Sequence, residues 1–284
     1  MTPSSYLFVP GDAPDKLAKA GRTGAGALIL DLEDAVAPSQ KAVARENVAK
    51  AVGDGSDRPQ TWVRVNQEPL LADDIAAVTG PGIAGIVLPK AEPELLAAAD
   101  SLLAEAERRL GLPDRTLAVI ALVETARGVL SAATLASHPR VVRLGIGEAD
   151  LIGELGLRPG PERAEMAPIR LDLVLASSAA GLAAPIGPVE TALADLELLR
   201  ATTTALLGLG FRARTALHPR QLPVINDVFT PSAAEVAKAR RIVAALDAAE
   251  ASGSGVAVDE NQQFIDLAVV RSAREILLRH NGSV

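Results

Sequence analysis

The chain has 284 residues, 49% of them hydrophobic and 22% charged, with 28 Lys and Arg against 35 Asp and Glu for a net charge of −7. With no basic stripe or aromatic-interleaved patch, that balance excludes a surface that tracks a phosphate backbone, so nucleic acid is not an expected partner. The lack of cysteine excludes disulfides, thiolate metal sites and thiol nucleophiles.

Eight short apolar runs recur along the chain, at 6–9, 27–32, 61–65, 85–88, 117–123, 141–146, 183–186 and 214–217. Helical segments separate them, clearest at 15–20, 40–52, 92–110, 128–136, 163–181 and 193–209. Strand followed by helix, repeated, predicts a parallel sheet, and eight repeats favour closure into a (β/α)8 TIM barrel over an open sheet. Such a barrel takes about 250 residues, so residues 1–230 are read as one barrel domain carrying the active site and 231–284 as a C-terminal helical extension. In the extension a helix at 233–251, a Ser/Gly stretch at 252–255 and a last helix at 261–280 predict a flexible link. The link lets the last helix swing away and dock elsewhere, a neighbouring subunit included. Residues 1–5 lack the basic and apolar regions of a secretory leader, and no run approaches the roughly 20 apolar residues that span a bilayer. The expected location is the cytoplasm, with no membrane partner.

Polar residues gather at the trailing edges of the runs, where barrel enzymes keep their chemistry. Asp31, Glu33 and Asp34 follow the second run, Arg64 and Asn66 the third, Lys90 the fourth, Glu124 the fifth, Glu148 and Asp150 the sixth, and His218 the eighth. Clustered acids repel one another, so a fold that gathers Asp31, Glu33 and Asp34 offsets the cost with a cation, a basic partner or a shared proton. If the strand continues, Asp31 and Glu33 point one way and Leu32 and Asp34 the other. Glu124 and Asp150 on adjacent strand ends offer oxygen ligands to Mg²⁺, which takes one or two carboxylates plus waters and substrate oxygens. Either acid alone would serve equally as a helix cap. Arg64 interrupts an apolar strand and needs an anion: it binds a ligand carboxylate or oxyanion, or it forms a structural pair with Glu33 or Asp34. Lys90 fits a Schiff base, a phosphate contact or an acid pair, and its chemistry alone does not separate them. His138, His218 and His280 read as surface or structural residues. No Gly-x-Ser-x-Gly elbow and no phosphate-binding P-loop occurs, which leaves a serine hydrolase or a nucleotide hydrolase without support.

Seven motifs in order, Leu7-Phe8-Val9-Pro10-Gly11, Leu30-Asp31-Leu32-Glu33-Asp34-Ala35-Val36, Val63-Arg64-Val65-Asn66, Leu88-Pro89-Lys90-Ala91-Glu92, Val123-Glu124-Thr125-Ala126-Arg127-Gly128, Gly147-Glu148-Ala149-Asp150 and His218-Pro219, closely resemble the citrate lyase β-subunit-like proteins of the HpcH/HpaI aldolase superfamily. The resemblance spans nearly the whole chain. It implies a Mg²⁺-dependent carbon–carbon lyase that cleaves a 3-hydroxyacyl thioester into an acetyl thioester and a 2-oxo acid, on a TIM barrel forming trimers or hexamers. It implies that Glu124 and Asp150 hold Mg²⁺, that Arg64 contacts substrate, and that Lys90 lies near the thioester cofactor's phosphates or in the acid network. It also implies a general acid/base, Asp266 in Gln263-Phe264-Ile265-Asp266, contributed by a neighbouring subunit, with Glu33 and Asp34 positioning Arg64 or sharing that role. The chain departs from the family pattern at Ser4-Ser5, at Glu260 and at Phe264.

The expected activity is therefore cleavage of a coenzyme A thioester such as citramalyl-CoA or malyl-CoA into acetyl-CoA and pyruvate or another 2-oxo acid. The alternatives are a citrate lyase β-subunit acting on a carrier-bound citryl group within a complex, and a malate synthase- or thioesterase-like enzyme. A non-catalytic acyl-CoA-binding protein is disfavoured by the joint presence of Arg64, Glu124, Asp150 and Asp266.

Overall fold

The structure, a computed structural model, describes residues 2–53, 59–80, 82–160, 163–251, 253–258 and 263–281. Eight parallel strands follow one another round a closed barrel: β1 (Ser5–Pro10), β2 (Ala27–Asp31), β3 (Gln60–Arg64), β4 (Gly85–Leu88), β5 (Ala118–Val123), β6 (Val141–Ile146), β7 (Ile186–Gly187) and β8 (Ala213–Ala216), with β8 pairing back onto β1. The helices between and after them are α1 (Pro14–Lys19), α2 (Lys41–Gly53), α3 (Leu71–Val78), α4 (Pro93–Leu110), α5 (Ala126–Leu130), α6 (Ala132–Ala136), α7 (Glu148–Leu155), α8 (Ala167–Ala179), α9 (Leu196–Leu209) and α10 (Leu222–Phe229). This is the (β/α)8 barrel that the eightfold repeat predicts.

Side chains alternate along each strand, so every second residue faces the barrel axis. Tyr6, Ala27, Ile29, Trp62, Val87, Ile120, Leu122, Ile186 and Ala213 form that interior core. One step further along the same inward rows the sequence turns polar: Ile29 gives way to Asp31, Trp62 to Arg64, Leu122 to Glu124 and Ala213 to Thr215. Apolar layers thus fill the barrel up to its C-terminal end, and the charged layer sits on top of them.

Helix ends follow local chemistry. Gly111 (φ 67°) closes α4 and Gly210 (φ 107°) closes α9 in the left-handed conformation that glycine adopts without strain. The Asp195 carboxylate caps α9 by accepting from the Leu198 amide at 2.9 Å. Several elements differ from expectation. The seventh strand begins at Ile186 and not at 183, because Pro185 lacks a ladder donor and the Ala184 carbonyl is taken by Arg143 Nε at 2.6 Å. The helix expected over 128–136 is two short helices broken at Ser131, whose backbone (φ −101°, ψ 7°) is not helical. Helices α3, α7 and α10 were not read from the pattern; α7 starts within the Gly147–Asp150 motif, where its first turn reads as site chemistry.

The chain divides into two compact units, Pro3–Asn226 and a second from Asp227 onward. The second contains α11 (Ala233–Ala251), a small antiparallel pair β9 (Ala257–Val258) and β10 (Phe264–Ile265), and α12 (Leu267–Asn281). Leu246, Ile265 and Val270 form its core, with Ile242 and Val243 packed against them. The last helix therefore packs along α11 and does not swing free, because the apolar face of β10 and α12 has its own partner within the unit. That helix starts at Leu267, later than the expected 261. Ser252, Glu260 and Asn261 lie outside the described residues. Among the described residues no helix is long and apolar enough to cross a membrane.

Candidate active site

The parallel register sets Asp31 opposite Arg64 at the ends of β2 and β3. The Arg64 guanidinium grips that carboxylate with two bonds, Nε to Oδ1 at 2.7 Å and Nη2 to Oδ2 at 2.6 Å. The Asp31 oxygens also accept from the amides of Glu33 (2.9 Å) and Ala35 (3.1 Å), so one carboxylate folds the turn that follows it. Because the strand ends at Asp31, alternation does not carry on to Glu33 and Asp34; the turn brings both back to Arg64 Nη1, at 2.9 and 3.2 Å. The Arg64 plane also lies 4.7 Å from the centre of the Phe8 ring. Burial by itself would lower the Arg64 pKa, but the Asp31 bonds and the neighbouring acids outweigh it and raise it. Glu33 is shifted upward, first by burial and then by Asp34 and Asp31, against the pull of Arg64 and Lys90.

The same turn is clamped from outside. Lys41 Nζ donates to the carbonyls of Leu32 (2.7 Å) and Glu33 (2.6 Å), and Asn66 Nδ2 donates to Leu32 at 2.9 Å. Asn66 is held in turn by buried Asp74, whose Oδ2 accepts from its amide at 2.8 Å and from Nδ2 at 2.7 Å while Oδ1 accepts from Arg45.

Glu124 follows β5 as the next inward residue and is buried. Its Oε1 accepts the Lys90 amide at 2.8 Å, an approach made possible by the left-handed backbone of Lys90 (φ 46°). Its other oxygen has no hydrogen bond within the described residues and faces Gly147, where an added Cβ would stand 2.1 Å from Oε2. Only glycine leaves room for this carboxylate. Burial, reinforced by Glu33 and Asp150 and opposed by Lys90, pushes the Glu124 pKa up to about 8. Lys90 Nζ lies 3.5 Å from Glu33 and 3.7 Å from Asp150, which places it in the acid network. Desolvation would lower its pKa; Glu33, Glu124 and Asp150 together raise it. Asp150 sits in the first turn of α7 with its carboxylate 42% exposed.

These groups border one cavity of about 640 Å³ at the C-terminal end of the barrel, lined by Asp31, Asp34, Arg64, Glu124, Glu148, Asp150 and Arg163 among apolar side chains. Glu148 is withdrawn from chemistry, because Arg170 holds it with two bonds at 2.6 and 2.9 Å. Among the described residues no three His, Cys, Asp or Glu side chains form a metal-holding group. Glu124 and Asp150 instead offer two carboxylates, one raised in pKa by burial and by its acidic neighbours, which suits a hard ion that completes its shell with water and ligand oxygens.

Several positions that shape the candidate site escaped the sequence reading. Asp31 outranks Glu33 and Asp34 as the partner of Arg64, and the apolar residues alternating with it in β2 were the available signal. The Gly145-Ile146-Gly147 spacing signalled a close approach. Nothing local marked Lys41, Asp74 or Arg163. Asp266 stands in the C-terminal unit as the N-cap of α12, its Oδ1 accepting from the amides of Ala268 and Val269 at 2.9 and 3.0 Å. His218 caps a short turn, accepting from the Arg220 amide at 3.1 Å, in keeping with a structural role.

Comparison with known proteins decides the family. Residues 4–219 match the model for HpcH/HpaI aldolase/citrate lyase. The chain belongs to this family. A citrate lyase subunit beta from Leuconostoc mesenteroides subsp. cremoris is 33% identical over 286 residues, covering 98% of this chain and 93% of its own. A (3S)-malyl-CoA thioesterase from Cereibacter sphaeroides is 37% identical over 278 residues, with coverage of 97% and 93%. The crystal structure of protein CitE from Mycobacterium tuberculosis, in complex with magnesium, acetoacetate and coenzyme A, superposes with a TM-score of 0.78 at 32% identity and covers 98% of both chains.

Proposed function

We propose that this protein is a Mg²⁺-dependent carbon–carbon lyase that cleaves a 3-hydroxyacyl-CoA of the citramalyl-CoA or malyl-CoA type into acetyl-CoA and a 2-oxo acid. The observation that carries the reading is the pair Glu124 and Asp150, two carboxylates with unused oxygens beside Arg64 in a cavity of this family's barrel. In the reaction the 3-hydroxyl loses its proton and becomes the carbonyl of the 2-oxo acid. The bond to the thioester's α-carbon breaks, its electron pair passes to the thioester as an enolate, and the enolate takes a proton to give the acetyl group.

Glu124 and Asp150 would hold Mg²⁺, which supplies a Lewis acid that lowers the hydroxyl pKa of the acid portion. Arg64, fixed in direction by Asp31, presents its remaining donors to the cavity and offsets negative charge on the reacting oxygen or the enolate. Glu33, its pKa raised by burial, lies against Arg64, and Lys90 reaches both Glu33 and Asp150. Asp34 trims the charge of Arg64 from the exposed side. Asp266, delivered by the C-terminal unit of a neighbouring copy in a trimer or hexamer, is the proposed acid that protonates the enolate; its Oδ2 has no hydrogen bond among the described residues. A cytoplasmic location fits a coenzyme A substrate.

The (3S)-malyl-CoA thioesterase relative favours a second reading, in which water attacks the thioester carbonyl and releases the hydroxy acid with free coenzyme A. Mass spectrometry of the products from citramalyl-, malyl-, methylmalyl- and citryl-CoA, with Mg²⁺ and with EDTA, separates the two. Acetyl- or propionyl-CoA that disappears with EDTA supports the lyase; free coenzyme A with intact hydroxy acid supports hydrolysis. No turnover of any of these substrates would remove both and leave the carrier-bound citryl substrate of the citrate lyase relative.

A further inference from the structure

Two arginines line the cavity, and their charge is handled in opposite ways. Arg64 meets three carboxylates, Asp31, Glu33 and Asp34, so its cation is more than balanced. Arg163, which precedes α8, belongs to a cluster in which three guanidiniums share two carboxylates. Glu148 is already satisfied by Arg170 at 2.6 Å, and Glu190 faces fully buried Arg214 at 3.4 Å. Arg163 reaches across both acids at 3.4 Å to each, longer than a well-formed charge-assisted bond, and its side chain is 24% exposed where those of Arg170 and Arg214 are 7% and 1%. Among the described residues the cluster therefore carries one surplus positive charge, and Arg163 is the member that holds it against the cavity. Its backbone is left-handed (φ 51°, ψ 39°), a strained conformation for a non-glycine residue of the kind found at ligand-binding walls.

We propose that Arg163 binds an anionic group of the ligand other than the one held beside Arg64. The group is either a second carboxylate on the acid portion or a phosphate of the thioester carrier. The proposal rests on the lyase reading for the identity of the ligands but makes a separate statement about them. A half-buried surplus cation facing a cavity recruits an anion because it is only partly solvated there, and the planar guanidinium matches carboxylate and phosphate alike. Pro188, Val189 and Thr191 line the cavity with it.

The test is calorimetric binding, without turnover, of pyruvate, oxaloacetate, coenzyme A and dephospho-coenzyme A to the full chain in Mg²⁺, for the wild type and Arg163→Gln. Oxaloacetate differs from pyruvate by a second carboxylate, and coenzyme A from its dephospho form by a phosphate. The wild type is expected to prefer the more anionic member of one pair by about tenfold, the size of one charge-assisted contact. R163Q is expected to lose that preference while binding the less anionic member as before; the pair affected names the source of the anion. Equal affinity within both pairs in the wild type overturns the proposal whether or not R163Q folds. A preference that survives in R163Q, or a uniform loss across all four ligands, overturns it in favour of a purely structural bridge. Failure of the wild type to bind any of the four removes the lyase reading and this proposal together, whereas binding without an Arg163 effect removes this proposal alone.

Discussion

The two ends of the barrel treat buried arginine differently. At the N-terminal end Arg140 is fully enclosed and saturated: Nε on Asp100 at 2.6 Å, Nη1 on Glu107 at 2.7 Å and on the Leu117 carbonyl at 2.9 Å, and Nη2 on Glu107 at 3.2 Å. Arg143 beside it meets no carboxylate among the described residues; its Nε and Nη1 donate to the carbonyls of Ala184 and Pro3 and to the Tyr6 hydroxyl, and its Nη2 is left without a hydrogen bond there. At the C-terminal end the arginines and acids are left out of balance, three acids on Arg64 and a surplus guanidinium at Arg163. Arg140, with its partners supplied by the chain and sealed from solvent, closes the fold, whereas Arg64 and Arg163 border the cavity where a ligand can reach them. The difference lies in the accounting of donors and acceptors and not in residue type.

Breaking the C-terminal end should erase function and spare the fold. Glu124→Ala and Asp150→Ala are each expected to abolish turnover and Mg²⁺ binding by calorimetry, with melting temperatures close to the wild type. Near-normal turnover in both would sink the metal assignment. At the N-terminal end the reverse is expected: Glu107→Ala takes the two-pronged partner from buried Arg140, leaves Asp100 as its one carboxylate, and should cost about 3 kcal/mol in denaturant unfolding. A loss under about 1 kcal/mol would mean that Asp100 and the Leu117 carbonyl suffice. Gly147→Ala probes the junction between the two behaviours, because its new methyl must displace the Glu124 carboxylate. About 10²-fold lower turnover with an intact fold is expected, the usual penalty for a displacement of roughly 1 Å.

Two smaller effects sharpen the contrast. Glu124 is ordinarily protonated near 4.5 and is raised to about 8 in the folded, metal-free protein. Its contribution to stability is therefore complete below about pH 4.5 and is lost as the pH rises through about 8, because the unfolded chain releases that proton first. Comparing melting temperatures of wild type and Glu124→Gln across that window in EDTA should show the slope flattened in the variant; parallel curves would mean that Glu124 titrates normally. Asp34→Asn removes the most exposed of the three acids on Arg64 and should change stability by no more than about 1 kcal/mol, with a modest fall in turnover. A collapse of the fold there would contradict its exposed position.

Much of this was legible in the chain, and for a physical reason. Strand periodicity and the polar residues closing each inward row are local signals, so the barrel and the gathering of Arg64, Glu124, Lys90 and the Asp31–Asp34 turn could be read directly. Arg163 could not, because its meaning depends on counting the partners of Glu148 and Glu190, which are far apart in sequence. The Ser/Gly link misled for a related reason: a flexible composition says nothing about the apolar contacts of Ile265 and Val270 with Leu246 that hold α12 in place. The pairing of Arg64 with Glu33 or Asp34 was among the readings the sequence offered, and both pairs form; what stayed hidden was Asp31 as the bidentate partner, since the turn that follows it depends on hydrogen bonds that end the strand.

The pairing of Asp31 with Arg64 also bears on how the barrel finds its alignment. Strand β2 is otherwise apolar, Ala27–Leu30, and β3 carries only the neutral Gln60 and Thr61 beside Trp62 and Val63, so neutral side chains alone would pack almost as well if shifted along one another. A slip by one position would turn one member of the pair to the outside and leave the other charge stranded in the interior. The ion pair therefore acts as a proofreading key for strand alignment, and a chain that has misassembled there has lost its reactive centre in the same event.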